Sequence, residues 1–472
     1  MEVLQRTANR GSVSTGYDID NSLKLESDNT EHLYVTTMTS GNRRTWTYSI
    51  WFKRTEIGFT NVLIHFGVNS HVTRMMIDDT DQLWIDMCDT GSTNYRSKTN
   101  RLFRDTSAWY HVVLRVDTTQ GTEADRMKVY INGVEETSWA QHQIPPQNLD
   151  TLANTTAGGY DSMGIGTYVW AGSSWDGNFS GYIAQVAHVD GQSYAATEFG
   201  EFDDDTGIWK PKDITGLTYG SSNNSFLLDF SNSSDLGNDS SGNNNDWSLS
   251  NIAAADQATD TPTNNFCTWS PLWNYASYPT ISEGATKVRI DDSTNEGAKA
   301  TIGLTNGKWY WEAKPVGTIG SQYIGIQTDG DSNIYSNANS LLNNYTMVIN
   351  TTGRYYSYSG SLSESSAGQF TDFTTSQWLG IALDMDSGTQ TIKYYKDGSL
   401  ILTRDLISDM QGQTVFPFLV NYENRSWDIN FGGYTINTIS SAATDANGYG
   451  TFEYAPPSGY YAICTKNLEE YG

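Results

Sequence analysis

The sequence predicts an all-β chain built as two antiparallel β-sandwich domains in tandem. Short β-branched and aromatic runs, broken by Gly, Asn or Asp, recur along almost all of the 472 residues. Helix signals are scarce, and a chain rich in strands but poor in helices buries its apolar faces by packing sheet on sheet. One strand–turn–strand unit also occurs twice, far apart in the chain.

Residues 1–20 carry little periodicity and read as an arm, either frayed or docked on a partner. Strong strands follow at Trp46-Thr-Tyr-Ser-Ile-Trp-Phe52, His111-Val-Val-Leu-Arg-Val116 and Phe226-Leu-Leu-Asp-Phe230. Between them, residues 193–202 around Ala195-Ala196-Thr197-Glu198 form the one modest helix candidate. Later strands read Gly380-Ile-Ala-Leu-Asp-Met385 and Val415-Phe-Pro-Phe-Leu-Val420.

The repeated unit places Val112, Leu114 and Val116 after Trp109, and Ile381, Leu383 and Met385 after Trp378 at the same offsets. Each copy runs on into Met127-Lys-Val-Tyr-Ile-Asn132-Gly133 or Ile392-Lys-Tyr-Tyr-Lys-Asp397-Gly398. Period-two alternation buries one face of a strand, and Asn-Gly or Asp-Gly supplies the positive φ angles of a tight hairpin. The loop inside the second copy is four residues shorter, since 109 to 132 is 23 and 378 to 397 is 19. Copies 265–269 residues apart predict two domains of one architecture, not a solenoid with repeats every ~20–50 residues.

From 231 to 250 the chain is polar apart from Trp247 and Leu249, and 256–263 continues as a Pro-containing connector. The expected organisation is an arm at 1–20, a first sandwich at 21–230, a polar linker at 231–259, and a second sandwich with a C-terminal extension at 260–472.

The 28 Lys+Arg against 54 Asp+Glu give a net charge of −26, with no basic run. A nucleic-acid binder and a ligand of anionic membranes both need basic clusters, so neither class is expected. Aromatics at 13% supply a sizeable core. No stretch approaches about 18 consecutive apolar residues, so no transmembrane helix is expected. Met1-Glu2-Val3-Leu4-Gln5-Arg6 lacks the apolar core of a signal peptide, which predicts synthesis in a cytoplasm without Sec export. Cys88, Cys267 and Cys464 lie far apart, form no metal spacing and read as free, buried thiols.

Residues 21–230 resemble a laminin-G/concanavalin-A-like domain in the 46–52 strand, Trp109-Tyr-His-Val-Val, Val129-Tyr-Ile-Asn-Gly and Phe179-Ser-Gly-Tyr-Ile-Ala-Gln-Val. Residues 260–472 resemble a SPRY (B30.2-like) domain. The matching features are Gly307-Lys-Trp-Tyr-Trp-Glu312, Tyr323-Ile-Gly-Ile-Gln, Trp378-Leu-Gly-Ile-Ala-Leu-Asp, Tyr395-Lys-Asp-Gly and Trp427-Asp-Ile-Asn-Phe-Gly432. Both resemblances imply jelly-roll β-sandwiches. The combination is similar to virion structural proteins of tailed, often marine, bacteriophages. So are the tracts Asp260-Thr-Pro-Thr-Asn-Asn-Phe266 and Pro456-Pro-Ser-Gly-Tyr-Tyr-Ala-Ile-Cys-Thr-Lys-Asn-Leu468. This resemblance implies a virion-exterior protein, a tail fibre or similar appendage, whose arm grips other virion proteins. It implies a homo-oligomer too, a trimer by the habit of fibres. A capsid-decorating or purely structural fibre protein is the alternative.

Concanavalin-A-like folds also host glucanases, which place carboxyls about 5–5.5 Å apart from one Glu-x-Asp-x-x-Glu strand. Glu201-Phe-Asp203-Asp-Asp205-Thr206 has Thr where the acid/base Glu belongs, and Glu123-Ala-Asp125-Arg-Met127 fails in the same way. The histidines (His32, His65, His71, His111, His142, His188) form no HExxH, and no Gly-x-Ser-x-Gly or Walker loop occurs. A non-enzyme is expected.

Laminin-G-like domains often bind calcium at a sheet rim, so Asp203 and Asp205 are the candidate ligands, calcium preferring hard oxygens. Sugars stack on aromatics and hydrogen-bond to amides and carboxylates. The candidate glycan- or partner-binding residues are therefore Tyr168, Trp170, Trp175, Asp176 and Asn178 in the first domain. In the second they are Tyr355, Tyr356, Tyr358, Asn424 and Arg425.

Overall fold

The computed structural model describes residues 16–68, 71–91, 93–170, 174–220, 223–273, 279–290, 295–320, 322–329, 345–359, 361–422 and 425–472. They form two compact units, divided after Thr263. Each unit is a sandwich of antiparallel sheets, and the fold class is all-β. The first 15 residues of the expected arm lie outside the described residues.

One sheet of the first unit runs Val134–Glu135, Met127–Ile131, Tyr110–Asp117, Thr45–Arg54, Gly181–Asp190, Ser22–Leu25, Gln257–Ala258, and Phe226–Leu228 joins at Gly181–Asp190. The facing sheet runs Trp139–His142, Asn94–Leu102, Gln82–Cys88, His71–Ile77, Asn61–Val68, Met163–Ile165, His32–Val35, Ser248–Ser250. Alternation sends Trp46, Tyr48, Ile50 and Phe52 of one strand inward to meet Leu83, Ile85 and Met87 of the other sheet in one core.

The outward side of that first sheet is buried too. Trp51 stacks on His111 at 4.4 Å, and Trp209, from the hairpin Gly200–Phe202/Trp209–Pro211, donates its indole N–H to His111 Nδ1 at 2.9 Å. Lys53 Nζ pairs with Asp260 at 2.7 Å, both side chains almost fully buried, and Trp109 Nε1 donates to the other Asp260 oxygen at 3.0 Å. Removing one member of such a pair leaves an uncompensated buried charge.

The stretch 231–259, expected as a linker, is instead woven into the first unit. Trp247 lies in its core, Ser248–Ser250 pairs with His32–Val35, and Gln257–Ala258 pairs with Ser22–Leu25. Asp256 and Glu31 both bind the buried ammonium of Lys24 at 2.9 Å. The polarity serves turn-building: Asp239 alone accepts the backbone N–H of Leu227, Ser241 and Asn245 at 2.8–2.9 Å.

In the second unit one sheet runs Thr280–Ser282, Lys287–Ile290, Arg425–Asn430, Lys308–Gly317, Leu379–Asp384, Thr391–Lys396, Ser399–Asp405. The other runs Asn295–Lys299, Val415–Tyr422, Gln322–Thr328, Thr346–Asn350, Tyr355–Tyr358, Leu362–Glu364. Trp309, Trp311, Ile381, Leu383 and Ile429 fill its core. On the outward side of Lys308–Gly317, the buried Glu312 carboxyl accepts the backbone N–H groups of Glu453 and Tyr454, each at 2.8 Å. Tyr310 Oη and Asn430 Nδ2 complete its shell at 3.2 Å. The C-terminal segment is thus strapped over the sheet.

Both copies of the repeated hairpin form as their residues predict. Asn132-Gly133 and Asp397-Gly398 have φ of 49°, 77° and 47°, 76°, the paired positive values of a type I′ turn. Two differences stand out. The 193–202 candidate yields only a 3₁₀ turn, Ala196–Glu198, before entering a strand. The α-helix of the described residues is the unanticipated Thr465–Tyr471, held by Leu468 in the core and a Tyr461–Tyr471 stack at 4.0 Å. At seven residues it is too short for periodicity to reveal. Cys88, Cys267 and Cys464 are all buried, and none is joined in a disulfide.

Candidate functional site

The outward face of the first unit's second sheet differs from the sealed faces just described. In the strand Gln82–Cys88, Leu83, Ile85 and Met87 point to the core, which leaves Trp84 and Asp86 pointing out. Antiparallel register places Arg74 and Arg96 on either side of Asp86, and Met76 and Lys98 on either side of Trp84. Cross-strand neighbours stand within side-chain reach, so the two rows form one patch.

Within it, Asp86 Oδ2 accepts from Arg74 Nε at 2.9 Å, and Oδ1 accepts from Arg96 Nε at 2.8 Å and Trp84 Nε1 at 3.0 Å. The carboxylate is 2% exposed; the side chains of Arg74 and Arg96 are 18% and 37% exposed. The Arg96 guanidinium lies over the Trp84 ring at 4.4 Å, with Lys98 Nζ at 5.5 Å from it. Such cation–π contacts hold both partners in plane.

Tyr168 completes the patch. Its hairpin, Tyr168–Trp170 paired with Ser174–Asp176, docks on Asn61–Val68 through Gly177, whose carbonyl accepts the Val62 N–H at 2.9 Å. Gly177 has φ +66°, and a Cβ there would lie 2.8 Å from both the Tyr168 ring and Val62, so only glycine permits this approach. The Arg74 guanidinium sits 5.4 Å from the Tyr168 centroid. The side chains of Trp170, Trp175 and Asp176 lie outside the described residues. Asn178 is half-buried beside them, its carbonyl accepting from Asn61 Nδ2 at 3.1 Å.

The sequence prediction thus touched this patch at Tyr168 and missed Arg74, Trp84, Asp86 and Arg96. Their signal was present as polar and aromatic residues alternating with apolar ones along the strands. Which of them stand side by side depends on register.

The tyrosines of the second unit do not form one surface. Tyr355 packs against the core with Arg404 over its ring at 5.2 Å. Tyr356 and Tyr358 join the opposite face, where Tyr356 meets Tyr323 at 5.2 Å and its hydroxyl meets Glu364 at 3.2 Å. Arg425 donates Nε to the Thr318 carbonyl at 3.0 Å, and Asn424 lies outside the described residues.

The candidate calcium ligands also diverge. Asp203 Oδ1 accepts from Thr206 N and Oγ1 at 2.9 Å and from Asp205 N at 3.1 Å, and Oδ2 lies 3.3 Å from Lys210 Nζ. The Thr206 hydrogen bonds hold its carboxyl down at about 2, as fits a turn-capping carboxylate. Asp205 is exposed. Among the described residues, no cluster of three or more His, Cys, Asp or Glu could hold a metal ion.

Two serines meet histidines: Ser97 Oγ lies 3.1 Å from His142 Nδ1, and the buried Ser49 Oγ lies 2.8 Å from His111 Nε2. Because the Trp209 indole can only donate, His111 Nδ1 is the acceptor and Nε2 carries the proton. His111 therefore donates to Ser49 and cannot deprotonate it. Burial also drives its pKa to about 3.

Residues 27–191 match the family described as the concanavalin A-like lectin/glucanases superfamily. A search of curated proteins gave no match. Among solved structures, the chain is similar to domains LG4-5 of the mouse laminin alpha1 chain (8% identity, TM-score 0.29), over 94% of this chain and 97% of that one. It is similar to the SPRY domain of human HERC1 (13% identity, TM-score 0.27), over 36% of this chain and 99% of that one. A third similarity is to a putative carbohydrate binding protein from Bacteroides ovatus (18% identity, TM-score 0.27), over 41% and 52% of the two chains.

Proposed function

We propose that this chain is a non-enzymatic glycan-binding protein of a phage virion surface, a tail fibre or fibre-like appendage that adsorbs to host-surface glycans. The observation that carries the glycan reading is the open patch of Arg74, Trp84, Asp86, Arg96 and Tyr168. Ring carbons there provide apolar contact and fixed charged groups provide directional hydrogen bonds, the two things a sugar surface requires. The concanavalin A-like match over residues 27–191 agrees with it. The virion placement is supported by the resemblance of the tracts at 260–266 and 456–468 to those of tailed-phage virion proteins. On this reading the protein is made in the host cytoplasm and sits on the virion exterior. Its N-terminal arm binds other virion proteins, and several copies assembled together raise weak contacts to useful avidity.

The test is saturable binding of the purified full chain to host cells, in competition with phage adsorption. Wild-type protein is expected to block adsorption, and Trp84→Ala to lose that block while keeping its melting behaviour. Equal blocking by Trp84→Ala would move the site elsewhere. No binding by the wild-type chain, even at high concentration, would favour a structural or capsid-decorating role.

A further inference from the structure

The patch has a chemical preference built into it. Arg74 and Arg96 are each oriented through Nε on opposite oxygens of one buried carboxylate. A guanidinium bound through Nε keeps its two Nη groups, and here no other residue among those described engages them. The planes are held by rings, Trp84 under Arg96 and Tyr168 beside Arg74. Two forks are thus preorganised before any ligand arrives, which lowers the ordering cost of binding.

Charge points the same way. Lys98 is paired with Asp78 at 2.5 Å, so Asp86 is left to balance two guanidinium groups. The patch holds one positive charge in surplus on a chain whose net charge is −26. Polyanions in general are repelled by such a chain, so an anion held here must be held by short-range contacts. Planar, bidentate recognition of a carboxylate or sulfate is what arginine does better than lysine.

We propose that this face binds an anionic saccharide, with the sugar's carboxylate or sulfate gripped by the Nη groups of Arg74 and Arg96. The proposal deepens, and rests on, the glycan-binding reading. Its test measures binding of the full chain to four probes: oligogalacturonate, its neutral methyl ester, a sulfated galactan oligomer and the desulfated oligomer. Wild-type protein is expected to bind at least one charged probe about tenfold or more tightly than its neutral partner, which identifies carboxylate or sulfate as the group held. Arg96→Met and Arg74→Met keep the alkyl stem and leave Asp86 one guanidinium partner each; each should erase that preference, with a cooperative thermal transition above the assay temperature confirming the fold. Equal binding of charged and neutral probes, unaffected by either substitution, overturns the anion inference and leaves the glycan reading standing. Failure of every probe to bind counts against this inference, while the cell-adsorption assay separately decides the broader reading. Binding of single-stranded polynucleotide or anionic vesicles as tight as that of the charged sugars would replace the saccharide with a general polyanion and overturn the proposal.

Discussion

All six histidines lie in the first unit, whereas the second has none and buries the carboxyl of Glu312 instead. The two kinds of group respond to acid in opposite directions. Burial holds His111 and His188 near 3, far below the ordinary 6.5. An added proton would break the Trp209 bond at His111, and at His188 it would lie fully buried among the rings of Trp46, Phe66 and Phe226. Burial pushes Glu312 the other way, from 4.5 to about 7, against four donors that pull it down. The contrast shows that similar sandwiches, burying different titratable groups, can acquire opposite pH responses.

The largest expected effect is acid destabilisation of the first unit. Below pH 6.5 the unfolded chain takes up protons that the folded unit refuses, so stability present above 6.5 is lost as pH falls. By pH 4.5 this is about 2–3 kcal/mol for each of His111 and His188. Carboxyls that burial raises, those of Glu31, Glu56 and Asp190, offset part of it. Calorimetry of the full chain from pH 7 to 4.5 should show the first unit's transition falling. A transition that stays level would break the comparison.

Next in size is the strap of the first unit. Asp260→Ala strands the Lys53 ammonium in the interior and should cost about 3–5 kcal/mol in chemical denaturation. Replacing both partners by apolar residues should recover most of that loss. A cost below about 1 kcal/mol would mean that Lys53 finds water or another partner.

The smallest of the three effects sharpens the contrast. The stability that Glu312 contributes by holding its proton is fully present below pH 4.5 and is lost as pH rises through about 7, a span of about 3 kcal/mol. The second unit's transition should therefore rise on acidification, and Glu312→Gln should flatten that slope. A wild-type slope no steeper than that of the variant would show the carboxylate to be ionised in the fold, its four donors outweighing burial.

Legibility followed the range of the physics involved. The hairpins ending in Asn132-Gly133 and Asp397-Gly398 were readable because alternation and positive φ are properties of adjacent residues. Tyr355 is separable from Tyr356 and Tyr358 on the same ground, since neighbours along a strand face opposite ways and residues two apart share a face. The 231–259 stretch is not legible as part of the first unit, because Asn, Asp and Ser look alike whether water or the backbone takes their hydrogen bonds. Only the folded chain shows Asp239 bonded to its own loop and Trp247 in the core.

By itself, then, the sequence determined the all-β class, the repeated hairpin and its turns, and the absence of the catalytic motifs sought. All of these rest on period-two patterning, local turn chemistry or residue identity. Tertiary structure decided where the first unit ends and which outward face stays open. It also joined Arg74, Trp84, Asp86 and Arg96 into one patch with Tyr168. Those outcomes depend on strand register and on which distant segment covers which sheet, energies shared between residues tens to hundreds of positions apart, which no local pattern encodes.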